Sequence, residues 1–87
     1  MKPTRKMAAR NLVGPRIREA RLKVEPPIFQ EDLSGRLAAC GVLLDRTAIS
    51  RIEVQTRYVR DFEVSAIAKC LKVSVAWLFS ESEETGP

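Results

Sequence analysis

One short segment carries polar side chains suited to forming hydrogen bonds with a ligand. In DRTAISRIEVQTR, residues 45–57, a helical period of 3.6 residues would bring four polar side chains onto one flank: Arg46, Thr47, Ser50 and Arg51. A guanidinium can bind two acceptors through parallel hydrogen bonds, and a hydroxyl can donate or accept. This combination suits the edges of nucleic-acid bases, and an ordinary solvated helix surface is the alternative.

The residue types that catalysis and metal binding require are scarce. The chain contains no histidine, so the most common general base near neutral pH is absent. Glu31 and Asp32 are adjacent, and on a helix their side chains diverge by about 100° instead of forming a facing pair. No glycine-rich stretch has the spacing of a phosphate-binding loop. We therefore expect no enzymatic activity, no metal site and no cofactor.

Cysteine usage and hydropathy indicate an intracellular protein. Cys40 and Cys70 lie 30 positions apart, and without histidine they form no usual zinc pattern. We expect both to be reduced and buried. The N-terminal stretch MKPTRKMAAR is basic but lacks the apolar segment of a signal peptide. The run LAACGVLL is far shorter than the ~20 residues that span a bilayer. These features predict a soluble, intracellular protein without membrane contact.

Charge alternates along the chain. Residues 1–23 hold eight Lys/Arg and one acidic residue (+7), and residues 24–45 hold one arginine and four acidic residues (−3). Residues 46–60 hold four arginines and one acidic residue (+3), and residues 61–87 hold two lysines and five acidic residues (−3). The four blocks sum to the net charge of +4. If the two basic blocks meet in the fold, they form a cationic surface suited to a polyanion. A solvated surface without a partner remains the alternative.

Five short helices must position these side chains. The spacing of apolar residues and caps predicts a helix from Gly14-Pro15, one over about 30–40, one over about 46–54 capped by Asp45, one capped by Asp61 and one capped by Ser74. Pro26-Pro27 ends the first helix, and Gly41 is suited to end the second. No stretch has the alternation of a strand. The predicted fold class is all-α.

A single domain of residues 14–80 contains all five predicted helices. The chain has 87 residues, of which 45% are hydrophobic, and this is enough for one small core. Residues 1–13 are predicted to be a basic flexible arm and residues 81–87 an acidic disordered tail, because neither segment has much to bury.

The motifs GPRIREARL, QEDL, ISRIE and LKVSVAWLF occur in an order and spacing that resembles the Cro and phage-repressor type (XRE-like) helix-turn-helix family of transcriptional regulators. The resemblance covers residues 14–80. It implies a compact five-helix, lambda-repressor-like DNA-binding domain whose third helix lies in the major groove. By the match at ISRIE it also implies base contacts for the polar flank of the third helix: Arg46, Thr47, Ser50 and Arg51.

The resemblance also implies a structural ion pair. Glu53 matches a family glutamate that pairs with an arginine of the first helix, and RIREARL places Arg21 at that position. Arg21 shares its helix flank with Ile17 and Val24, where a charge needs a partner. A guanidinium can bind a carboxylate with two hydrogen bonds, so we expect Arg21 and Glu53 to join the first helix to the back of the third.

Further residues are candidates for contacts with the DNA backbone. Gln30 matches the glutamine that opens the family's second helix; it either contacts phosphate, supports the third helix or is only a first-turn polar residue. The loop QTRYVR resembles a phosphate-contacting loop and offers Arg57, with Tyr58 and Arg60 as weaker candidates. The other candidates either contact phosphate or only add solubility: Arg16, Lys2, Arg5, Lys6 and Arg10.

Several positions depart from the family pattern. Phe29 stands where Thr, Ser or Asn usually caps the second helix, and Gln55 stands where glycine is common. Gln55 is therefore expected to adopt a left-handed conformation or to change the path of the chain. The loops that contain Pro26-Pro27 and CGVLLD are longer than in the shortest family members.

These features together predict a sequence-specific regulator that binds double-stranded DNA as a homodimer on a palindromic operator. VSVAWLF could supply the dimer contact, although core packing explains its Trp77 and Phe79 equally well. No small-molecule ligand is expected. An antitoxin or adaptor that uses the same fold to bind a protein is the alternative. Single-stranded RNA binding and catalysis are weaker readings, because a stacking platform and a general base are missing.

Overall fold

A computed structural model describes residues 9–80 of the chain, and within this range it contains five α-helices and no strand. The helices are α1 (Gly14–Lys23), α2 (Gln30–Ala39), α3 (Arg46–Glu53), α4 (Asp61–Leu71) and α5 (Val75–Phe79). The all-α class is thus confirmed. The predicted tail 81–87 and three cations of the predicted arm, Lys2, Arg5 and Lys6, lie outside the described residues.

Local side-chain bonds set where several helices start. Asp45 Oδ1 accepts from the Ala48 backbone N–H at 2.8 Å, and Ser74 Oγ accepts from the Trp77 N–H at 3.0 Å, as the N-cap predictions require. The prediction that Asp61 caps α4 is wrong. Asp61 is already the first helical residue, and Arg60 occupies the cap position without a side-chain cap bond.

Two helices begin with a carboxylate that bonds backward instead of with a capping side chain. The Phe29 backbone N–H donates to Asp32 Oδ2 at 2.8 Å, and the Arg60 N–H donates to Glu63 Oε1 at 3.0 Å. Each acid stands at the third helical position, from which it reaches the N-cap amide. The missing side-chain cap at Phe29 is therefore compensated in part by the acid that follows it.

A core of aliphatic side chains fixes the position of α3. The helix packs against both α1 and α2; α4 packs on α2, and α5 packs on α1 and α4. Fully buried side chains come from all five helices: Ile17, Leu33, Leu37, Ile49, Ile52, Ile67 and Leu78. Burying each one contributes on the order of 1.5–3 kcal/mol. None of the described helices is long and apolar enough to cross a bilayer.

The closest approach of α1 to α3 occurs at Gly14. A Cβ built on this glycine would meet the Ile52 carbonyl oxygen and would stand 2.9 Å from the Glu53 carbonyl oxygen. Both oxygens belong to backbone at the end of α3, so they have no flexible side chain that could move aside. Glycine is needed here for the space that it leaves between two helices.

Gly14→Ala is therefore expected to destabilise the fold by about 1–3 kcal/mol, the usual cost of forcing an extra methyl into a packed site. Urea unfolding followed by circular dichroism measures this change. Gly35→Ala is the matched control, because an added Cβ on this exposed residue of α2 meets nothing within 4 Å. It is expected to gain up to about 1 kcal/mol from helix propensity. Equal stability of the two variants would contradict the close contact.

Candidate nucleic-acid interface

The polar flank of α3 faces solvent. Arg46, Thr47 and Arg51 are exposed and Ser50 is half-buried, so the four residues predicted to contact bases occupy one accessible surface. On the opposite flank Ile49 and Ile52 are each 1% exposed. Within residues 9–80, neither the Arg46 nor the Arg51 guanidinium has a hydrogen-bond or ion-pair partner. The flank can therefore offer guanidinium and hydroxyl groups to a ligand from a helix that is held from behind.

Arg21 and Glu53 form a two-bond ion pair beneath this helix. Arg21 Nε lies 2.9 Å from Glu53 Oε2, and Arg21 Nη2 lies 2.9 Å from Glu53 Oε1. The side chains are 9% and 2% exposed. Arg21 Nη1 also donates to the Ile28 carbonyl at 2.9 Å. The pair joins α1 to the end of α3, and its hydrogen bonds offset the cost of burying both charges.

Gln30 belongs to the same buried network. Its Nε2 donates to Glu53 Oε1 at 3.0 Å, so the start of α2 is connected to the end of α3 through one carboxylate. Gln30 and Arg46 also line a single open groove, together with Arg21, Phe29 and Glu31. Of the uses predicted for Gln30, the contact present in the structure is the one that supports the third helix.

The loop after α3 places its predicted residues differently. Arg60 and Tyr58 are exposed. Arg57 Nη1, in contrast, donates to the Tyr58 carbonyl at 2.9 Å and to Glu63 Oε1 at 3.2 Å. Glu63 is only 4% exposed, so Arg57 neutralises a buried carboxylate. This ion pair makes Arg60 the more accessible cation of the loop.

Arg16, predicted either to contact phosphate or only to add solubility, has several partners within the fold. Its guanidinium carbon lies 4.3 Å from the centre of the Trp77 ring, its Nη1 donates to Glu19 Oε1 at 3.0 Å, and its Nε donates to the Ser80 carbonyl at 3.3 Å. The side chain is 11% exposed. Arg16 therefore connects α1 with α5, and the stacking over Trp77 is a cation–π contact.

The residues just before α1 form hydrogen bonds with the end of α3 and with the loop that follows it. Asn11 Nδ2 donates to the carbonyls of Ile52 at 3.1 Å and Arg57 at 2.8 Å. The Gly14 N–H in turn donates to Asn11 Oδ1 at 2.8 Å. Val13 is 1% exposed. Packing thus begins before the predicted domain boundary at Gly14, although residues 1–13 were expected to be a flexible arm.

Gln55 adopts a left-handed conformation, with φ of 67°, which is one of the two outcomes expected at its position. Its backbone carbonyl accepts from the Arg10 N–H at 2.9 Å, and its side-chain Nε2 donates to the Asn11 carbonyl at 3.0 Å. A glycine at this position would lack the second bond. The glutamine therefore fastens the N-terminal segment to the loop after α3, and Arg10 lies over the Tyr58 ring at 5.3 Å.

The thiols differ from the prediction. Both cysteines are free, but the expectation that both are buried is wrong for Cys40, which is exposed, while Cys70 is half-buried. Cys40 follows the last residue of α2 as its C-cap, beyond the segment that Leu33 and Leu37 anchor in the core. Within residues 9–80, no group of three or more metal-binding side chains is close enough to hold an ion.

No family model, curated protein or solved structure matches this chain significantly. The function is therefore inferred from the geometry of the site. The sequence did not predict the roles of two residues that bond to the end of α3 and the loop after it, Asn11 and Glu63. An asparagine before a helix is a recognisable capping signal, and Glu63 stands three residues after Arg60 as the acid of a capping box; the longer-range partners of both had no local signal.

Proposed function

We propose that the protein is a sequence-specific transcriptional regulator that binds double-stranded DNA, acts in the cytoplasm and has a helix-turn-helix, lambda-repressor-like fold. In this proposal α2 and α3 form the motif, α3 enters the major groove, and two copies bind a palindromic operator. The observation that carries it is the flank of α3, where Arg46, Thr47 and Arg51 are exposed while Ile49 and Ile52 are buried.

The chemistry of this flank supports base readout. Arginine can bind O6 and N7 of guanine with two hydrogen bonds, and Thr and Ser can pair with several base edges. The B-form major groove admits a helix, whereas the deep and narrow major groove of A-form RNA does not. Gln30 lies beside Arg46 in one groove, and Arg60 follows α3 in the next loop, so polar and cationic groups flank the helix where a phosphate backbone would pass.

Selection from random DNA duplexes with the full-length protein, followed by footprinting, tests the proposal. We expect enrichment of an inverted repeat whose half-sites are protected on one face of the duplex. Sedimentation of the complex should give two protein copies per duplex. Absence of any enriched sequence at low salt would contradict the DNA-binding proposal. Equal binding to double-stranded RNA of matched sequence would contradict readout through the major groove.

Arg60→Ala is expected to weaken binding to all duplexes by a similar factor and to reduce the slope of log K against log salt by about one unit. The exposed Arg60 side chain makes no cap bond to α4, so the helix should remain intact. Fluorescence anisotropy at several salt concentrations measures the slope. An unchanged slope would contradict a phosphate contact, and a loss confined to one DNA sequence would instead indicate base readout.

Lys69→Ala is the matched control for these experiments. Lys69 is an exposed cation of α4. It borders a groove with Cys40. Cys40 follows the C-terminal end of α2, whereas Gln30 begins that helix. The variant removes the same unit of charge away from α3. It is expected to bind DNA like the wild type.

An antitoxin or adaptor that binds a protein through the same fold is the second candidate. It is favoured by large apolar side chains on the surface, including Leu43 at 83% exposure and Leu12 at 71%. Exposed apolar groups of this size commonly mark interaction surfaces when they form a patch. Retention of a defined protein partner at high salt, with no DNA sequence selected, would support this function over the first.

A further inference from the structure

The two cysteines lie on either side of the contact between α2 and α4. Cys40 borders a surface groove together with Ser65, Ala66 and Lys69 of α4. Cys70 follows Lys69 directly and lies one helical turn beyond Ala66, and both of these residues border the groove with Cys40. The end of α2 therefore brings an exposed thiol to the last turn of α4, where a half-buried thiol is located.

The Cys40 thiol is among the groups that surround Cys70. Burial, together with the neighbouring Cys40 thiol, raises the pKa of Cys70. A thiol with a raised pKa is mostly protonated at neutral pH and is a poor first nucleophile. Cys40 is the more accessible of the two, so an external oxidant meets it first.

We propose that Cys40 and Cys70 are an oxidisable thiol pair, which a small disulfide such as oxidised glutathione converts into an intramolecular disulfide. This inference does not depend on the proposed DNA binding.

The proposed reaction has two exchange steps. The Cys40 thiolate attacks one sulfur of the oxidised glutathione, forming a mixed disulfide and releasing one glutathione thiolate. The Cys70 thiolate then attacks Cys40 Sγ of the mixed disulfide, forming the Cys40–Cys70 bond and releasing the second glutathione. The two cysteines are oxidised, the glutathione disulfide is reduced to two thiols, and the two cysteine protons end on those thiols or in solvent.

The disulfide would close a loop that contains all of α3. Because the loop spans residues 40 to 70, the bond removes many conformations of the unfolded chain. In the folded state it would fix the end of α2 against α4. We expect the oxidised protein to melt higher than the reduced protein by on the order of 10 °C or more, and a reductant to reverse the shift.

Incubation of the reduced full-length protein with oxidised glutathione, followed by intact-mass measurement and peptide mapping, tests the pair. The expected product is monomeric, has lost two hydrogens and carries a Cys40–Cys70 peptide link. A product with a glutathione on each cysteine, or a disulfide-linked dimer, would overturn the proposal.

Single-cysteine variants separate the two steps. Cys70→Ser should stop at one glutathione on Cys40, whereas Cys40→Ser should react more slowly because its remaining thiol is half-buried. In denaturant the two variants should react at similar rates, which distinguishes protection by the fold from a difference in intrinsic reactivity. Faster native reaction of Cys40→Ser than of Cys70→Ser would overturn the assigned order of attack.

Discussion

Replacing Glu53 with glutamine should lower the free energy of unfolding by about 3–5 kcal/mol, the usual cost of removing one member of a buried ion pair. The guanidinium of Arg21 would keep its charge at 9% side-chain exposure but lose its carboxylate partner. Arg21→Met should have a similar cost. Within residues 9–80, it leaves the Glu53 carboxylate with the Gln30 amide as its only side-chain hydrogen-bond donor. Thermal and urea unfolding of both variants measure the change.

Glu19→Gln is the matched control for the buried pair. Glu19 also accepts bonds from a cation at each side, Arg16 and Lys23, but its side chain is 29% exposed. Solvent screens such pairs, so the variant should lose no more than about 1 kcal/mol. If Glu53→Gln were as mild as this control, the contact between α1 and α3 would not depend on the ion pair. The double variant Arg21→Met with Glu53→Gln should be more stable than the sum of the single losses predicts.

Arg51→Ala is expected to lose roughly 1–3 kcal/mol of binding free energy on the selected DNA site and to bind altered sites almost as well as before. Arg46→Ala should behave in the same way at a different base pair. In both cases the physical reason is the loss of a two-bond contact with a base edge. Anisotropy titrations against the selected site and against single-base variants measure affinity and discrimination together.

The stability of the folded domain should hardly change in these arginine variants, because both side chains are exposed. This separates them from Glu53→Gln, which acts on the fold. Lys69→Ala again provides the charge-matched control. If Arg46→Ala, Arg51→Ala and Lys69→Ala weakened binding equally and left discrimination intact, α3 would contribute only general electrostatic attraction, and the proposed readout by this flank would be wrong.

Local features of the sequence predicted the elements that depend on local geometry. The side of α3 on which Arg46 and Arg51 lie follows from the helical period alone, and Asp45 caps the helix through an amide three residues away. The left-handed Gln55 was one of the two outcomes expected where glutamine replaces a common glycine. In each case, residues close in the sequence determine the outcome.

The features that the sequence did not predict depend on where distant segments meet. Arg16 is a cation near a helix start in the sequence, but the path of α5 brings Trp77 against it. Arg57 is a cation in a loop that resembles a phosphate-contacting loop. Its ion pair with the buried Glu63 depends on where α4 packs. Cys40 is exposed and lies one residue beyond the end of α2, and helix ends are among the least certain features of a sequence prediction.

The bonds of Asn11 have a consequence for how the molecule assembles. Its two carbonyl partners, Ile52 and Arg57, lie 41 and 46 residues further along the chain. Closing loops of this length costs entropy before any contact compensates for it. The exit from α3 therefore has these bonds only when the segment before α1 lies against it. A peptide that holds α2 and α3 alone would lack them, so the conformation of this exit is a property of the completed domain.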